Sequence, residues 1–216
     1  MTPAETLDLF EPPAREPLCA GAVLLRGLAL PDSQRLLADV ARVLEAAPLR
    51  FMVTPGGFRM SVAMSNCGPL GWVSDAGGYR YDAADPLSGR PWPPMPVSFR
   101  EIATHAAALA GFDGFEPDAC LLNRYEPGAR LTLHQDRNER DKSHPIVSVS
   151  LGLPAVFLFG GARRTDKTRR VPLVHGDVVV WGGPARLHYH GVSSLSEGHH
   201  PQTGRHRFNL TLRRAG

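Results

Sequence analysis

The chain has 216 residues, of which 43% are hydrophobic and 21% are charged, a length that favours one domain with elaborations over two. This composition excludes a disordered, collagenous or coiled-coil protein, and no apolar run approaches the roughly 18 residues of a membrane span. The net charge of +3 hides an asymmetry, because residues 1–120 hold 9 basic and 14 acidic side chains whereas residues 121–216 hold 15 and 7. A basic C-terminal part is typical of proteins that bind a polyanion, so nucleic acid is a candidate partner.

The first residues and the three cysteines bear on the compartment. Residues 1–17 are acidic and broken by prolines, without the basic and apolar regions of a secretory signal. Cys19, Cys67 and Cys120 are widely spaced and odd in number, which favours free thiols over a disulfide framework or a thiolate zinc site. We therefore expect a cytoplasmic protein.

Two helices are predicted in the N-terminal half. Apolar residues at helical spacing over 36–44 predict a helix that ends before Pro48. Ser98 and Glu101 form the pattern of a capping box, which predicts a second helix that Gly111 can terminate.

From residue 120 onward the sequence is typical of β-structure. The preceding stretch 82–97 carries five prolines, which predict an irregular surface loop. Short β-branched or aromatic segments separated by glycine or proline then follow at 120–125, 130–134, 146–151, 155–159, 171–174, 177–181 and 206–213. Many short strands in one stretch predict a closed barrel or a double-sheet jelly roll rather than a parallel sheet.

One predicted strand ends in a candidate metal site. His134 and Asp136 are two residues apart, so their side chains point to the same side of a strand. His188 or His190 could supply a third ligand, and ordinary surface histidines are the alternative interpretation. Two histidines and one carboxylate leave coordination positions free, which suits a non-haem Fe(II) oxygenase better than structural zinc. The same spacing recurs at 175–177, which we interpret as a structural turn that leads into a core strand.

The last predicted strand has a polar face. Four polar residues alternate with apolar ones, namely Arg207, Asn209, Thr211 and Arg213. A solvent-facing strand would show the same alternation, but two arginines and an asparagine also make a receptor for carboxylates, because guanidinium binds them in a two-bond fork. Asn123 and Tyr125 repeat the spacing on another strand. Beside a metal site, such a receptor fits a small dicarboxylate cofactor such as 2-oxoglutarate.

Several motifs, in order along nearly the whole chain, carry a family resemblance. They are Asn123-Arg124-Tyr125-x-Pro127-Gly128-Ala129, His134-Gln135-Asp136, Ser148-Val149-Ser150-Leu151-Gly152, the segment 176–181, His190-Gly191, Arg207-x-Asn209-Leu210-Thr211-x-Arg213 and the upstream stretch 52–72. Together they resemble the AlkB family of Fe(II)- and 2-oxoglutarate-dependent nucleic-acid repair dioxygenases.

The resemblance implies an α+β, mainly β fold, with a double-stranded β-helix (jelly-roll) core. Residues 1–119 are expected to form N-terminal helices and a nucleotide-recognition lid, and residues 120–216 the dioxygenase core, together in one compact domain. The implied reaction uses O₂ and 2-oxoglutarate to hydroxylate the alkyl group of bases such as 1-methyladenine and 3-methylcytosine. The oxidised alkyl group is then released as an aldehyde. Single-stranded DNA is the expected substrate, with duplex DNA and RNA as further candidates, and we expect a monomer.

The resemblance also implies which residues hold the metal and the cofactor. It selects His190 over His188, because the family's histidine is followed by glycine, so the expected Fe(II) ligands and catalytic residues are His134, Asp136 and His190. Arg207 and Asn209 are expected at the metal-bound end of 2-oxoglutarate and Arg213 and Tyr125 at its distal carboxylate, with Asn123 and Leu131 lining the same pocket.

A base that is attacked on its Watson–Crick edge must leave the stack, which requires aromatic surfaces and contacts to phosphates. The implied substrate residues are Trp72 stacked opposite His134, Tyr79 and Thr54 near the backbone, Met64 over the flipped base, and Arg130, Arg164, Gln135, Asn138 and Glu139 beside it. Asn138 departs from the family, which has an acid that reads the exocyclic amine at this position. Because asparagine lacks that charge, we expect a relaxed preference for cationic lesions.

Two other functions fit part of the sequence. A 2-oxoglutarate oxygenase for a small metabolite would share the metal site, but the upstream stretch 52–72 and the basic C-terminal part argue against it. A barrel that binds nucleic acid without turnover would have lost a metal ligand or a receptor arginine, and all of these are present in the sequence.

Overall fold

The computed structural model describes residues 14–216. The prediction that residues 1–17 carry no secretory signal falls mostly on residues 1–13, which lie outside the described residues. The described elements are β1 (Arg15–Cys19), β2 (Ala22–Leu25), α1 (Ser33–Ala46), β3 (Arg50–Val53), β4 (Arg59–Cys67), β5 (Gly71–Asp75), β6 (Gly78–Asp82), α2 (Val97–Leu109), β7 (Ala119–Tyr125), β8 (Leu131–His134), β9 (Ile146–Gly152), β10 (Ala155–Phe159), β11 (Arg169–Leu173), β12 (Val178–Trp181), β13 (His190–Val192) and β14 (Arg207–Arg213). None of the described helices has the length and apolar character needed to span a membrane.

The strands form two facing sheets and one separate hairpin. The large sheet has the order β1-β2-β12-β9-β14-β7-β4-β3, the small sheet has the order β11-β10-β13-β8, and β5 pairs only with β6. Aromatic residues pack between the facing sheets, with the Phe157 and Trp181 rings 5.9 Å apart. The mainly β, double-stranded β-helix fold is therefore confirmed. The large sheet takes strands from both sides of residue 119, although the division into 1–119 and 120–216 stays a prediction.

Two apolar clusters flank the large sheet. On its outer face, Leu36 of α1 and Phe99 of α2 belong to one buried apolar cluster with Val149 and Leu210. Since side chains alternate along a strand, the residues between these valines and leucines point to the space between the sheets. The polar residues of β9 and β14 are therefore directed into the interior of the jelly roll.

Both helices form where they were predicted, but the predicted cap of the second helix is not formed. Helix α1 ends at Ala46, before Pro48 as predicted. Helix α2 begins at Val97, and its first turn has no side-chain cap. The predicted capping box is wrong because the Ser98 hydroxyl donates to the buried Asp39 carboxylate of α1 instead.

All predicted C-terminal strand segments form strands, with ends shifted by up to two residues. The strands β1–β6 and β13 were not predicted. Strand β2 and residues 62–67 of β4 are buried on both faces, so they lack the alternation that identifies a strand in sequence. All three cysteines are free.

Candidate metal and cofactor site

The strands β8 and β13 bring the three predicted metal ligands together. His134 of β8 lies opposite His190 of β13 in the antiparallel register. Asp136 follows β8, and its carboxylate oxygens lie 3.7 Å from His134 Nε2 and 3.7 Å from His190 Nε2. One ligand atom from each residue lies within 4.8 Å of the others. A single ion can therefore contact all three side chains.

Backbone carbonyls orient both imidazole rings. His134 Nδ1 lies 2.9 Å from the Thr132 oxygen, and His190 Nδ1 lies 3.0 Å from the His188 oxygen. Because a carbonyl can only accept, each Nδ1 carries the proton and each Nε2 presents its lone pair to the site. Burial, reinforced by the nearby His134, lowers the pKa of His190 to about 4, which keeps this ring neutral.

Asp136 is held as a carboxylate. Burial alone would raise the pKa of Asp136, but Arg213 and the two histidines together hold it below its usual value. Neutral imidazoles and an ionised carboxylate are the states that bind metal. Two nitrogens and one oxygen, with open positions, suit Fe(II). Across residues 14–216 no other cluster of three His, Cys, Asp or Glu side chains could hold a metal ion.

The other candidate histidines lie elsewhere. His188 Nδ1 is 3.9 Å from Cys19 Sγ, and His175 accepts the backbone N–H of Gly152. Asp177 accepts backbone N–H groups of Gly27 and Val174, which agrees with a structural role for the segment 175–177.

The polar face of β14 is buried rather than solvent-facing. Its members are at most 6% exposed, namely Arg207, Asn209, Thr211 and Arg213. They line a cavity of about 910 Å³ between the sheets, which also contains the metal triad. The sequence pattern therefore marks an internal receptor, and the alternative of an ordinary solvated strand is excluded.

The two arginines of this face have different partners. Arg213 donates to Asp136 Oδ2 from Nη2 at 2.6 Å and from Nε at 3.0 Å. Arg207 lies beside Tyr125, with its guanidinium carbon 4.9 Å from the ring centroid, and donates from Nη2 to Ser150 Oγ at 3.0 Å. The predicted pairing of Arg213 with Tyr125 is thus wrong, because Arg213 contacts the metal ligand Asp136 and Arg207 is the arginine beside Tyr125. Which carboxylate of the cofactor each arginine binds stays a prediction.

Arg207 provides the test of whether a carboxylate fits. Its Nε and Nη1 are buried and have no hydrogen-bond partner in the described part of the chain, and the same holds for Asn123 Oδ1. Burial lowers the pKa of Arg207. Among residues 14–216 no carboxylate forms an ion pair with its guanidinium. A buried cation without a counter-charge is costly, and a dicarboxylate bound in the cavity would supply that charge. Asn209 donates to Ser148 Oγ at 2.8 Å. Sequence reasoning missed Ser148 and Ser150, although their alternation on a predicted strand was a usable signal.

The cavity mouth carries aromatic and cationic side chains. Trp72 of β5 and Tyr79 of β6 stack with ring centroids 5.7 Å apart. Four arginines line the same cavity and have no carboxylate partner among the described residues, namely Arg59, Arg130, Arg137 and Arg164. Arg59 and Arg137 were missed, because surface arginines outside a motif carry no distinguishing signal.

Every predicted site residue lines this cavity except Glu139. Glu139 is 3% exposed, accepts from the Tyr81 hydroxyl at 2.7 Å and pairs with Arg186 at 2.9 Å. A direct substrate contact by Glu139 is therefore wrong, because its carboxylate is used inside the protein. Met64 lines the cavity from β4 of the large sheet, opposite Asn123, and its role over the flipped base stays a prediction. The roles of the other predicted residues stay predictions.

Comparison with known proteins agrees with this architecture. Residues 21–213 match the 2OG-Fe(II) oxygenase superfamily. Fold and site thus define a dioxygenase that uses Fe(II), 2-oxoglutarate and O₂. Within that superfamily the chain belongs to the AlkB family, since it is 57% identical over 211 residues to the alpha-ketoglutarate-dependent dioxygenase AlkB of Salmonella typhimurium, covering 97% of this chain and 98% of the relative.

Two more distant proteins extend the comparison. The solved structure of OsALKBH1 superposes with a TM-score of 0.81 at 28% identity and covers 93% of this chain and 100% of that one. The protein named DNA N(6)-methyladenine demethylase ALKBH1D of Arabidopsis thaliana is 32% identical over 224 residues, covering 89% of this chain and 49% of the relative.

Proposed function

We propose that this enzyme removes alkyl groups from the bases of DNA by oxidation. The observation that carries the proposal is one cavity that joins three features: the His134, Asp136 and His190 triad, the Trp72 and Tyr79 stack, and the Arg207 guanidinium, which has no carboxylate partner among residues 14–216. The AlkB family membership and the DNA demethylase name of the Arabidopsis relative support it.

Each end of the cavity has its own task. When bound, Fe(II), 2-oxoglutarate and O₂ supply the oxidant that hydroxylates an N-alkyl carbon, after which the base is released with loss of an aldehyde. The triad would hold the metal. Arg207 and Tyr125 would hold the distal carboxylate, and Asn123, Leu131 and Asn209 would line the space between them and the metal. Arg213 holds Asp136 in position.

The rim would receive the base and its flanking phosphates. An alkylated base must leave the stack to reach the metal, and the Trp72 ring, backed by Tyr79, offers it an aromatic surface. The four arginines of the rim, which have no carboxylate partner among the described residues, provide charge for phosphates. Thr54, Met64 and Gln135 line the remaining wall. Extraction costs least from a single strand. We therefore infer that single-stranded DNA is preferred over duplex DNA. RNA as a further substrate, a monomeric state and a cytoplasmic location stay predictions.

The direct test is mass spectrometry of an oligonucleotide that contains 1-methyladenine, incubated with Fe(II), 2-oxoglutarate and ascorbate. Demethylation predicts a loss of about 14 Da that disappears when iron or 2-oxoglutarate is omitted and in the variant His190→Ala. Turnover of 2-oxoglutarate without any change in methylated DNA or RNA would contradict the proposal and favour a small-metabolite substrate.

A further inference from the structure

Asn138 connects the metal-binding loop to the aromatic rim. It lies two residues after Asp136, on the loop that follows β8. Its side chain contacts both strands of the β5–β6 hairpin. Trp72 Nε1 donates to Asn138 Oδ1 at 3.4 Å, and Asn138 Nδ2 donates to the Tyr79 backbone oxygen at 3.3 Å.

These two hydrogen bonds occupy the two polar ends of the amide. They also reach the two residues whose rings form the stack. The backbone of Trp72 is already fixed by Asn66, which donates to the Trp72 oxygen at 2.9 Å and accepts from its N–H at 2.9 Å. What Asn138 adds is a contact to the indole ring itself. Among the described residues, Asn138 is the only hydrogen-bond partner of the indole N–H.

We propose that Asn138 is a positioning residue for the base platform. It fixes the orientation of the Trp72 ring against Tyr79, so that the opposite face of Trp72 is presented to a base in the cavity. This inference rests on the proposed function and assigns Asn138 a role other than reading the exocyclic amine of the base. One lone pair of its Oδ1 and one N–H of its Nδ2 are engaged within the protein.

An aspartate at this position would not do the same work. It retains an acceptor for the indole N–H, but it has no N–H to donate, and it would place two acceptors face to face at the Tyr79 carbonyl. Asn138→Asp is therefore expected to disturb the stack. If Asn138 reads the base instead, Asn138→Asp would add a charge that favours cationic lesions.

The experiment compares Asn138→Ala and Asn138→Asp with the control Arg140→Ala, an exposed neighbour whose side chain makes no hydrogen bond in the described part of the chain. The first readout is the indole N–H signal of Trp72 in ¹⁵N–¹H spectra of the protein with Zn(II) and 2-oxoglutarate, assigned with Trp72→Phe. We expect both Asn138 variants to shift or broaden this signal. The signals of Trp92 and Trp181 should stay in place, as should all three signals in Arg140→Ala.

The second readout is the pair of constants kcat and KM on oligonucleotides with 1-methyladenine, which is cationic, and with 1-methylguanine, which is neutral. We expect KM to rise about 5-fold or more for both lesions, with kcat within about 2-fold, because one lost hydrogen bond to a neutral group is worth about a factor of 5. Arg140→Ala should change neither constant.

Three results would overturn the inference: an unmoved Trp72 signal in Asn138→Ala, a moved signal with unchanged KM for both lesions, or an effect of Asn138→Asp confined to the ratio between the two lesions. If the wild-type enzyme fails to demethylate either oligonucleotide, the proposed function fails separately. In that case the indole signal still tests whether Asn138 contacts Trp72, because that measurement needs no nucleic acid.

Discussion

Two arginines of one strand show how equal burial can serve different purposes. Arg207 and Arg213 lie on the same face of β14, and both are at most 5% exposed. Arg213 contacts the carboxylates of Asp136 and Glu139, whereas Arg207 contacts a phenol ring and a serine hydroxyl. The carboxylates of the protein thus balance the charge of Arg213 at the metal end. The charge of Arg207 is the one that a carboxylate of the cofactor would balance.

The largest expected effect comes from the metal end. Replacing His134, Asp136 or His190 by Ala should abolish turnover, since the metal then loses one of its three side-chain ligands. Iron content and activity of the purified variants are the measurement. His188→Ala should keep stoichiometric iron, because the His188 ring lies beside Cys19 and is not part of the triad. Loss of iron in His188→Ala together with activity in His190→Ala would reverse the assignment.

The comparison of the arginines predicts opposite effects on folding. Arg213→Met should lower the free energy of unfolding by about 3–5 kcal/mol, because it leaves the buried Asp136 carboxylate without its arginine. The matched variant Arg207→Met should retain or exceed wild-type stability when metal and cofactor are absent, because it removes a buried cation that no carboxylate of residues 14–216 contacts. Urea unfolding of the metal-free proteins measures both. Equal losses in the two variants would show that the protein balances both charges.

A conservative change at the ligand end isolates the carboxylate fork. Arg207→Lys should raise the dissociation constant for 2-oxoglutarate about 10-fold or more, because an ammonium cannot replace a planar two-bond donor and such a bond is worth about 1.5–3 kcal/mol. Oligonucleotide affinity, measured in parallel by fluorescence anisotropy, should change little. Similar weakening of both ligands would indicate a disturbed β14 rather than a lost fork.

The smallest expected effect concerns the rim. Arg130→Ala or Arg164→Ala should flatten the dependence of log K for single-stranded DNA on log salt by about one unit for each phosphate contact. Arg100→Ala on helix α2, which does not line the cavity, is the control and should leave the slope unchanged. A slope that no rim variant alters would place the nucleic acid on another surface.

The sequence was most informative where strands alternate. The pattern of Arg207 to Arg213 identified an internal receptor, and the short β-rich segments located the core strands. Strand β2 escaped notice because both of its faces are buried. The orientation of the receptor also escaped, since it depends on the contact between Arg213 and Asp136, which are 77 residues apart in the chain.

Glu139 illustrates a second limit of sequence reasoning. The family resemblance implied a substrate contact for Glu139, but the Tyr81 hydroxyl and the Arg186 guanidinium bind its carboxylate. Such pairings join distant segments, and a spacing rule along the chain has no access to them. The resemblance located the loop that follows β8, but tertiary packing determines that Asn138 and not Glu139 lines the cavity.

The most direct test of the account measures both halves of the receptor at once. The affinities of 2-oxoglutarate and of 2-oxobutyrate, which lacks the distal carboxylate, are compared under anaerobic Fe(II) in the wild type, Arg207→Met and Arg213→Met. The account predicts that the wild type prefers 2-oxoglutarate by about 10-fold or more, that Arg207→Met loses this preference, and that folded Arg213→Met keeps it. Loss of the preference in Arg213→Met, with Arg207→Met unchanged, would contradict the account.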